Sequence, residues 1–298
     1  MNILEIEDNI TRLVVSALAD YSGIIPSLIS RESIKKNPDN MHVQEAIFCY
    51  EHYLKVFTKD AFFTALNALE HAARKNPDNA LVLSMLSHAY CNNYAFDLGV
   101  EDASVEKIER LARRAVTLDP ECQIIHLVEA ALGFYQGQND RCIIKIGTAT
   151  SMNPFNSYII HMSGFLFCMM GYWDEGVKLW EKATLTNPRY PSVESFTPFM
   201  YHYYHGNYEK AWNYAIKCSA PVFWDPLIRA AAAGQLDLHV QAEAALQELL
   251  EMRPDFPRRA HELMSRIIHL TDLIEKLLEG LLKAGLELKP ETVGPSIS

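Results

Sequence analysis

His202 and His205 lie three residues apart and come nearest, in this 298-residue sequence, to a metal-ligating pair. On a helix they share a face, but a metal site needs three or four ligands and no third stands near them. His42, His52, His88, His126, His161, His239, His261 and His269 keep no common spacing with carboxylates. Neither a His-Glu-x-x-His motif nor a phosphate-binding glycine loop occurs. Glu101, Asp102, Glu106 and Glu109 form an acidic cluster where a helix is expected to begin, and negative charge there suits the helix dipole. The six cysteines (49, 91, 122, 142, 168 and 218) fall among apolar residues, with no Cys-x-x-Cys pair. Cys168, inside Phe165-Leu-Phe-Cys-Met-Met, lacks the polar surroundings that activate a thiolate. No catalytic residue, cofactor or metal is expected, and the chain reads as a non-enzyme.

The chemistry that remains is binding. Residues 155–224 hold 18 of the 31 aromatic residues, including all four tryptophans. Trp173, Trp180, Tyr208 and Trp212 sit at packing positions. Other aromatics fall on the expected inner face of a curved helix array, with Met and His among them. That combination suits a peptide or helix. The expected partner-binding residues are Tyr50, Leu54, His88, Asn92, Tyr158, His161, Phe165, Met169, Phe196, Met200, Tyr203 and Tyr204.

What must position them is a repeat. Pro38, Pro77, Pro120, Pro154, Pro188, Pro221 and Pro254 follow one another at intervals of 39, 43, 34, 34, 33 and 33 residues. A period near 34 marks stacked helix pairs. The clearest unit spans 157–188. Its first helix carries Ile160, Gly164, Phe167 and Met170 and turns at Gly171; its second carries Trp173, Gly176, Trp180 and Ala183. The proline stands just past the second helix because the residue before a proline is pushed out of helical geometry. Gly171 to Pro188 is 17 residues, Gly206 to Pro221 is 15, and Gly234 to Pro254 is 20. The last interval implies a longer turn over 236–240, and the interval of 43 implies a long loop near Ala95–Ala103.

The fold expected is an all-α, right-handed α-solenoid of six to seven helix pairs with helical caps. One unit would span 1–286: an amphipathic helix over 3–21, repeats over 42–256, and a capping helix over 271–284 opened by an Asp272–Glu275 capping box. Residues 287–298 are expected to be disordered. The net charge of −10 argues against nucleic acid or anionic membrane as partners. The unpaired cysteines point to a reducing cytoplasm, and neither a signal peptide nor a membrane span is read.

Gly164, Phe167, Gly171, Trp173, Trp180, Ala183 and Pro188 resemble the tetratricopeptide repeat, with Gly176 in place of its usual alanine. The end segments carry a closer resemblance: Glu5-Ile-Glu-Asp-Asn-Ile10, Leu18 to Pro26, Ala46 to Tyr50, and Asp272 to Leu286. They are similar to the C-terminal tetratricopeptide region of bacterial class III adenylate/guanylate cyclases and winged-helix transcriptional regulators. The resemblance implies a regulatory, protein-binding role in a bacterial signalling protein. The expected function is a non-catalytic interaction module that holds a protein segment, or another part of its parent protein, in a concave groove. The alternatives are a small-ligand sensor controlling an upstream cyclase or DNA-binding domain, and a homo-oligomerisation module.

Overall fold

A computed structural model describes residues 24–187, 190–219 and 222–289. The helix expected over 3–21 and the tail from 290 lie outside the described residues. Among the described residues all regular structure is helical. A first helix, α1 (Ile24–Ser33), precedes six helix pairs. These are α2 (Val43–Val56) with α3 (Lys59–Lys75), α4 (Ala80–Phe96) with α5 (Val105–Leu118), and α6 (Gln123–Tyr135) with α7 (Asn139–Met152). There follow α8 (Ser157–Met169) with α9 (Trp173–Thr186), α10 (Phe196–Tyr204) with α11 (Tyr208–Ala215), and α12 (Trp224–Gln235) with α13 (His239–Met252). Then come α14 (Phe256–Ser265) and α15 (Thr271–Lys283). This is the all-α solenoid the period implies.

Local chemistry sets the boundaries. Thr58, Asn79, Ser104 and Asn156 accept the N–H of Ala61, Val82, Lys107 and Ile159, capping α3, α4, α5 and α8. The proline spacing has a backbone cause. Asn76, Asp119, Asn153, Asn187 and Arg253, each just before a proline, share φ between −130° and −147° and ψ between 71° and 98°. Proline forbids the helical region to its predecessor, so each second helix stops at the same point.

One expectation is corrected at the turns. The hairpins turn in the left-handed region at Gly137, Gly171 and Gly206, and in the α12–α13 pair at Asp237, with φ of 55°. Asp237 to Pro254 is 17 residues, as for Gly137 to Pro154 and Gly171 to Pro188. No longer turn exists over 236–240; Gly234 is not the turn glycine. It lies inside α12, where a Cβ would collide with the carbonyl oxygen of Gly280 on α15. A second correction concerns the start of α15. Leu270 is the N-cap, and Asp272, inside the helix, accepts the N–H of Leu273 at 3.0 Å. The capping box does not form, and Asp272 serves the first-turn dipole instead.

The C-terminal segment does more than cap the last pair. It runs as a strap along the C-terminal ends of the first helices. Arg266 pairs with Asp97 at the end of α4 (2.7 Å). His269 stacks on Phe134 at the end of α6, centroids 4.1 Å apart and planes within 10°. Leu270 covers Gly171 after α8. Lys276 Nζ donates to Tyr204 O on α10 (2.6 Å), and Tyr203 Oη donates to Lys276 O (2.9 Å). Gly280 meets α12 at Ala231 and Gly234. Strap residues 266, 269, 270, 276 and 280 therefore meet positions 97, 134, 171, 204 and 234 in order. The apolar stripe Leu273, Leu277 and Leu281 is fully buried by this arrangement.

Candidate functional site

The inner face of the solenoid holds a partly open cavity of about 90 Å³. Every first helix from α2 to α12 contributes to it: Leu54 from α2, His88 and Asn92 from α4, Tyr135 from α6, Phe165 from α8, Thr197 from α10, Trp224 from α12. The turn Ser192–Ser195 adds Val193 and Glu194, and Ile267 of the strap closes it from the side. Helical spacing explains the set. His88, Asn92 and Phe96 stand four apart, as do His161 and Phe165, so each helix turns one stripe inward.

The walls are apolar and largely aromatic. Phe57, held at φ 55°, packs edge to face with Phe96 (4.9 Å). Left-handed geometry is uncommon for an aromatic residue and costs on the order of 1 kcal/mol. The ring it places lines the cavity. Phe196 meets Trp224 at 5.4 Å and 88°.

The polar groups sit in a poorly hydrated environment. Burial pulls His88 down to about 4 and His161 down to about 3, so both imidazoles are neutral at physiological pH. Burial raises Asp225, against the opposing Arg229 guanidinium 3.1 Å away. Asn92 Nδ2 donates to Tyr50 Oη (3.2 Å), while no hydrogen bond to the His88 ring is formed among the described residues. Neither lysine nor arginine lines the cavity among the described residues.

Two arrangements invite a catalytic reading. Glu194 Oε1 lies 3.7 Å from His161 Nδ1, and His161 Nε2 lies 3.4 Å from Thr197 Oγ1. That connectivity is carboxylate, imidazole, hydroxyl. But both separations are long, Thr197 has no solvent-accessible surface, and an imidazole held near 3 is a poor base at neutral pH. The trio braces α8 against α10. Cys218 also reaches the cavity, but burial pushes its thiol up to about 12, leaving it protonated.

Seven of the twelve residues singled out in the sequence share this cavity: Leu54, His88, Asn92, Tyr158, His161, Phe165 and Phe196. Tyr50 stands behind it, edge-on to the His88 ring. Met169 and Met200 are core residues without accessible surface. Tyr203 is buried beneath α15, and Tyr204 stacks on Trp173 at 4.7 Å. Sequence reading missed Phe57, Phe96, Tyr135, Glu194, Trp224, Asp225 and Ile267. Phe96 was reachable by stepping four residues on from Asn92. Ile267 had no local signal, because only the strap's return brings it here.

The residues first weighed as catalytic or metal sites make local contacts. His202 stacks on Tyr214 and His205 donates from Nδ1 to Tyr201 O (2.7 Å). Asp102 pairs with Lys107 and Glu109 with Arg113, each at 2.8 Å. All six cysteines are free. No group of three or more His, Cys, Asp and Glu placed to hold a metal occurs among the described residues. No helix among them is long and apolar enough to cross a membrane.

No protein-family model matches the sequence, and no curated protein matches it significantly. Solved structures do resemble it. Human IFIT1 with m7Gppp-AAAA aligns at TM-score 0.58 and 15% identity over 89% of this chain. The chain spans 65% of that protein's length. Pseudomonas aeruginosa PilF aligns at TM-score 0.46 and 13% identity over 77% of this chain and 94% of its own. A tetratricopeptide repeat protein from Parabacteroides merdae aligns at 0.44 and 15%, over 84% and 99%. At such identities the likeness is one of fold: a solenoid of tetratricopeptide-like helix pairs.

Proposed function

We propose that this chain is a non-catalytic interaction module whose working surface is its concave face, where it binds a protein segment. One observation carries the reading. The inner helix α12 and the C-terminal end of α10 already hold an amphipathic helix of the same chain, α15, through buried leucines, a tyrosine hydroxyl and a lysine spanning to a carbonyl. This is helix-in-groove recognition satisfied within one molecule. The remaining inner face, around the cavity, offers Phe165 and Leu54 as half-buried apolar anchors for a second segment. IFIT1 is seen with capped RNA, but here the lining carries Glu194 and Asp225 and no cationic side chain among the described residues, which supports a protein partner. The regulatory role in a bacterial signalling protein rests on the end motifs alone. Partner capture by cross-linking, compared between wild type, Phe165→Ala and Leu54→Ala, tests the reading. Loss of the same partner in both variants, at unchanged helicity, supports it; undiminished capture by both refutes it.

The cavity favours a second reading, that of a small-ligand pocket. An apolar chamber with a few converging polar groups is the usual form of such a site.

A further inference from the structure

We infer that the axial cavity binds a small uncharged molecule: a compact, branched or ring-shaped apolar body bearing one hydrogen-bonding group that meets the His88 imidazole. The inference rests on the small-ligand reading of the cavity.

Three observations on geometry point there. The chamber is built by every first helix from α2 to α12 and bordered by Ile267 of the strap, so its walls come from the length of the solenoid. Aromatic faces from Phe57, Phe96, Phe165, Phe196 and Trp224 surround it, and such surfaces gain most from an apolar guest. His88 is 96% buried and makes no hydrogen bond among the described residues. A nearly buried imidazole without a protein partner gains one from a ligand that carries a hydrogen-bonding group.

Charge then narrows the class. An anion would enter beside the Glu194 and Asp225 carboxylates with no cationic side chain in the described lining to receive it. A cation would lose its hydration beside carboxylates that already face other groups, Asp225 paired with Arg229 and Glu194 set against His161. What remains is an uncharged guest. The chamber is small, about 90 Å³ against the ~150 Å³ cavity that accepts benzene in an engineered protein, and it is partly open. A short branched guest whose apolar end enters while its other end faces the opening is the natural probe.

The test uses the full chain and a shape-matched series of different charge: 3-methyl-1-butanol, 3-methylbutanoate and 3-methylbutylammonium. Titration is followed by ligand-observed NMR and by thermal shift at neutral pH. The expected result is saturable one-to-one binding of the alcohol, at least tenfold tighter than either ion. His88→Leu weakens the alcohol roughly three- to tenfold, the range for one hydrogen bond. Leu54→Phe and Met162→Phe, which fill the chamber from different helices, abolish it. Failure of the alcohol to saturate, equal binding of either ion, or binding that survives a folded filling variant overturns the inference. Should the alcohol fail while partner capture still depends on Phe165, the ligand class falls and the concave-face reading stands. If both fail, the concave face is not the working surface.

Discussion

Acidification from pH 8 to pH 5 is expected to destabilise this fold through two side chains. His88 and His161 are buried, and burial lowers them from the ordinary 6.5 to about 4 and about 3. The unfolded chain therefore binds protons that the folded chain refuses. The stability this represents is complete above pH 6.5 and is lost as pH falls through 6.5 toward the folded values. At pH 5 an exposed histidine is almost fully charged, whereas each of these two remains almost fully neutral in the fold. One pH unit of displacement is worth about 1.4 kcal/mol. At pH 5, one and a half units below 6.5, each contributes about 2 kcal/mol, so the pair costs roughly 4 kcal/mol. That is a large share of the ~5–15 kcal/mol typical of a domain.

The carboxylates titrate elsewhere. Asp97 and Glu262 are held low by Arg266 and Arg259, so their contribution is lost only as pH falls below the ordinary carboxylate range. His52, His202 and His269 are lowered by partial burial and add to the slope in the same direction. Urea unfolding followed by far-UV circular dichroism at pH 8, 7, 6 and 5 measures the effect. The double variant His88→Asn/His161→Asn should flatten most of the slope between pH 7 and 5. A flat wild-type profile in that window, or an unchanged slope in the double variant, would refute the reasoning.

Further outcomes follow from the strap and the turns. Asp97→Ala removes the acceptor shared by Arg253, Arg259 and Arg266. It should cost about 1–3 kcal/mol, because it leaves three partly buried arginines short of a partner. Amide exchange over 266–283 should rise; unchanged exchange there refutes the latch. Gly234→Ala forces a Cβ into the backbone of α15 at Gly280, so a loss of about 2 kcal/mol or more is expected, with proteolytic cleavage appearing in the strap; a neutral melting temperature would contradict the packing. Asp237→Gly places glycine where φ is 55°, matching the three earlier turns, and should stabilise by up to about 1 kcal/mol in thermal melts; destabilisation would mean that the aspartate side chain supports the turn.

Much of this fold is legible along the sequence because repeat geometry is local. The prolines mark where second helices stop, and the backbone of Asn76, Asp119, Asn153, Asn187 and Arg253 shows why. Residue identity misleads where two positions exchange roles. Gly234 looks like a turn glycine but serves a helix crossing, while Asp237 takes the left-handed turn that glycine takes in three earlier pairs. The candidate site divides along the same line. His88, Asn92, His161 and Phe165 follow from the inward stripe of a first helix. Tyr203 lies on that stripe too, yet it is occupied by α15, whose contact spans 73 residues of sequence. Arg266 and Asp97 are 169 apart, and nothing near either residue announces the other.

The strap changes what the concave face is. A solenoid of helix pairs leaves its inner face open, and each pair touches only its neighbours. Here one segment touches the ends of five first helices in succession, so movement between any two pairs must disturb it. Ile267, between Arg266 on α4 and His269 on α6, belongs both to this segment and to the cavity wall. On the proposed ligand reading, closure of the strap and occupation of the cavity are coupled equilibria. A guest that binds only the closed chamber must tighten the latch at Asp97, and by linkage weakening the latch must weaken the guest by the same factor. The aromatic density of residues 155–224 then has two physical roles. Tyr203 and Tyr204 hold the strap, and Phe165 and Phe196 line the cavity beside it.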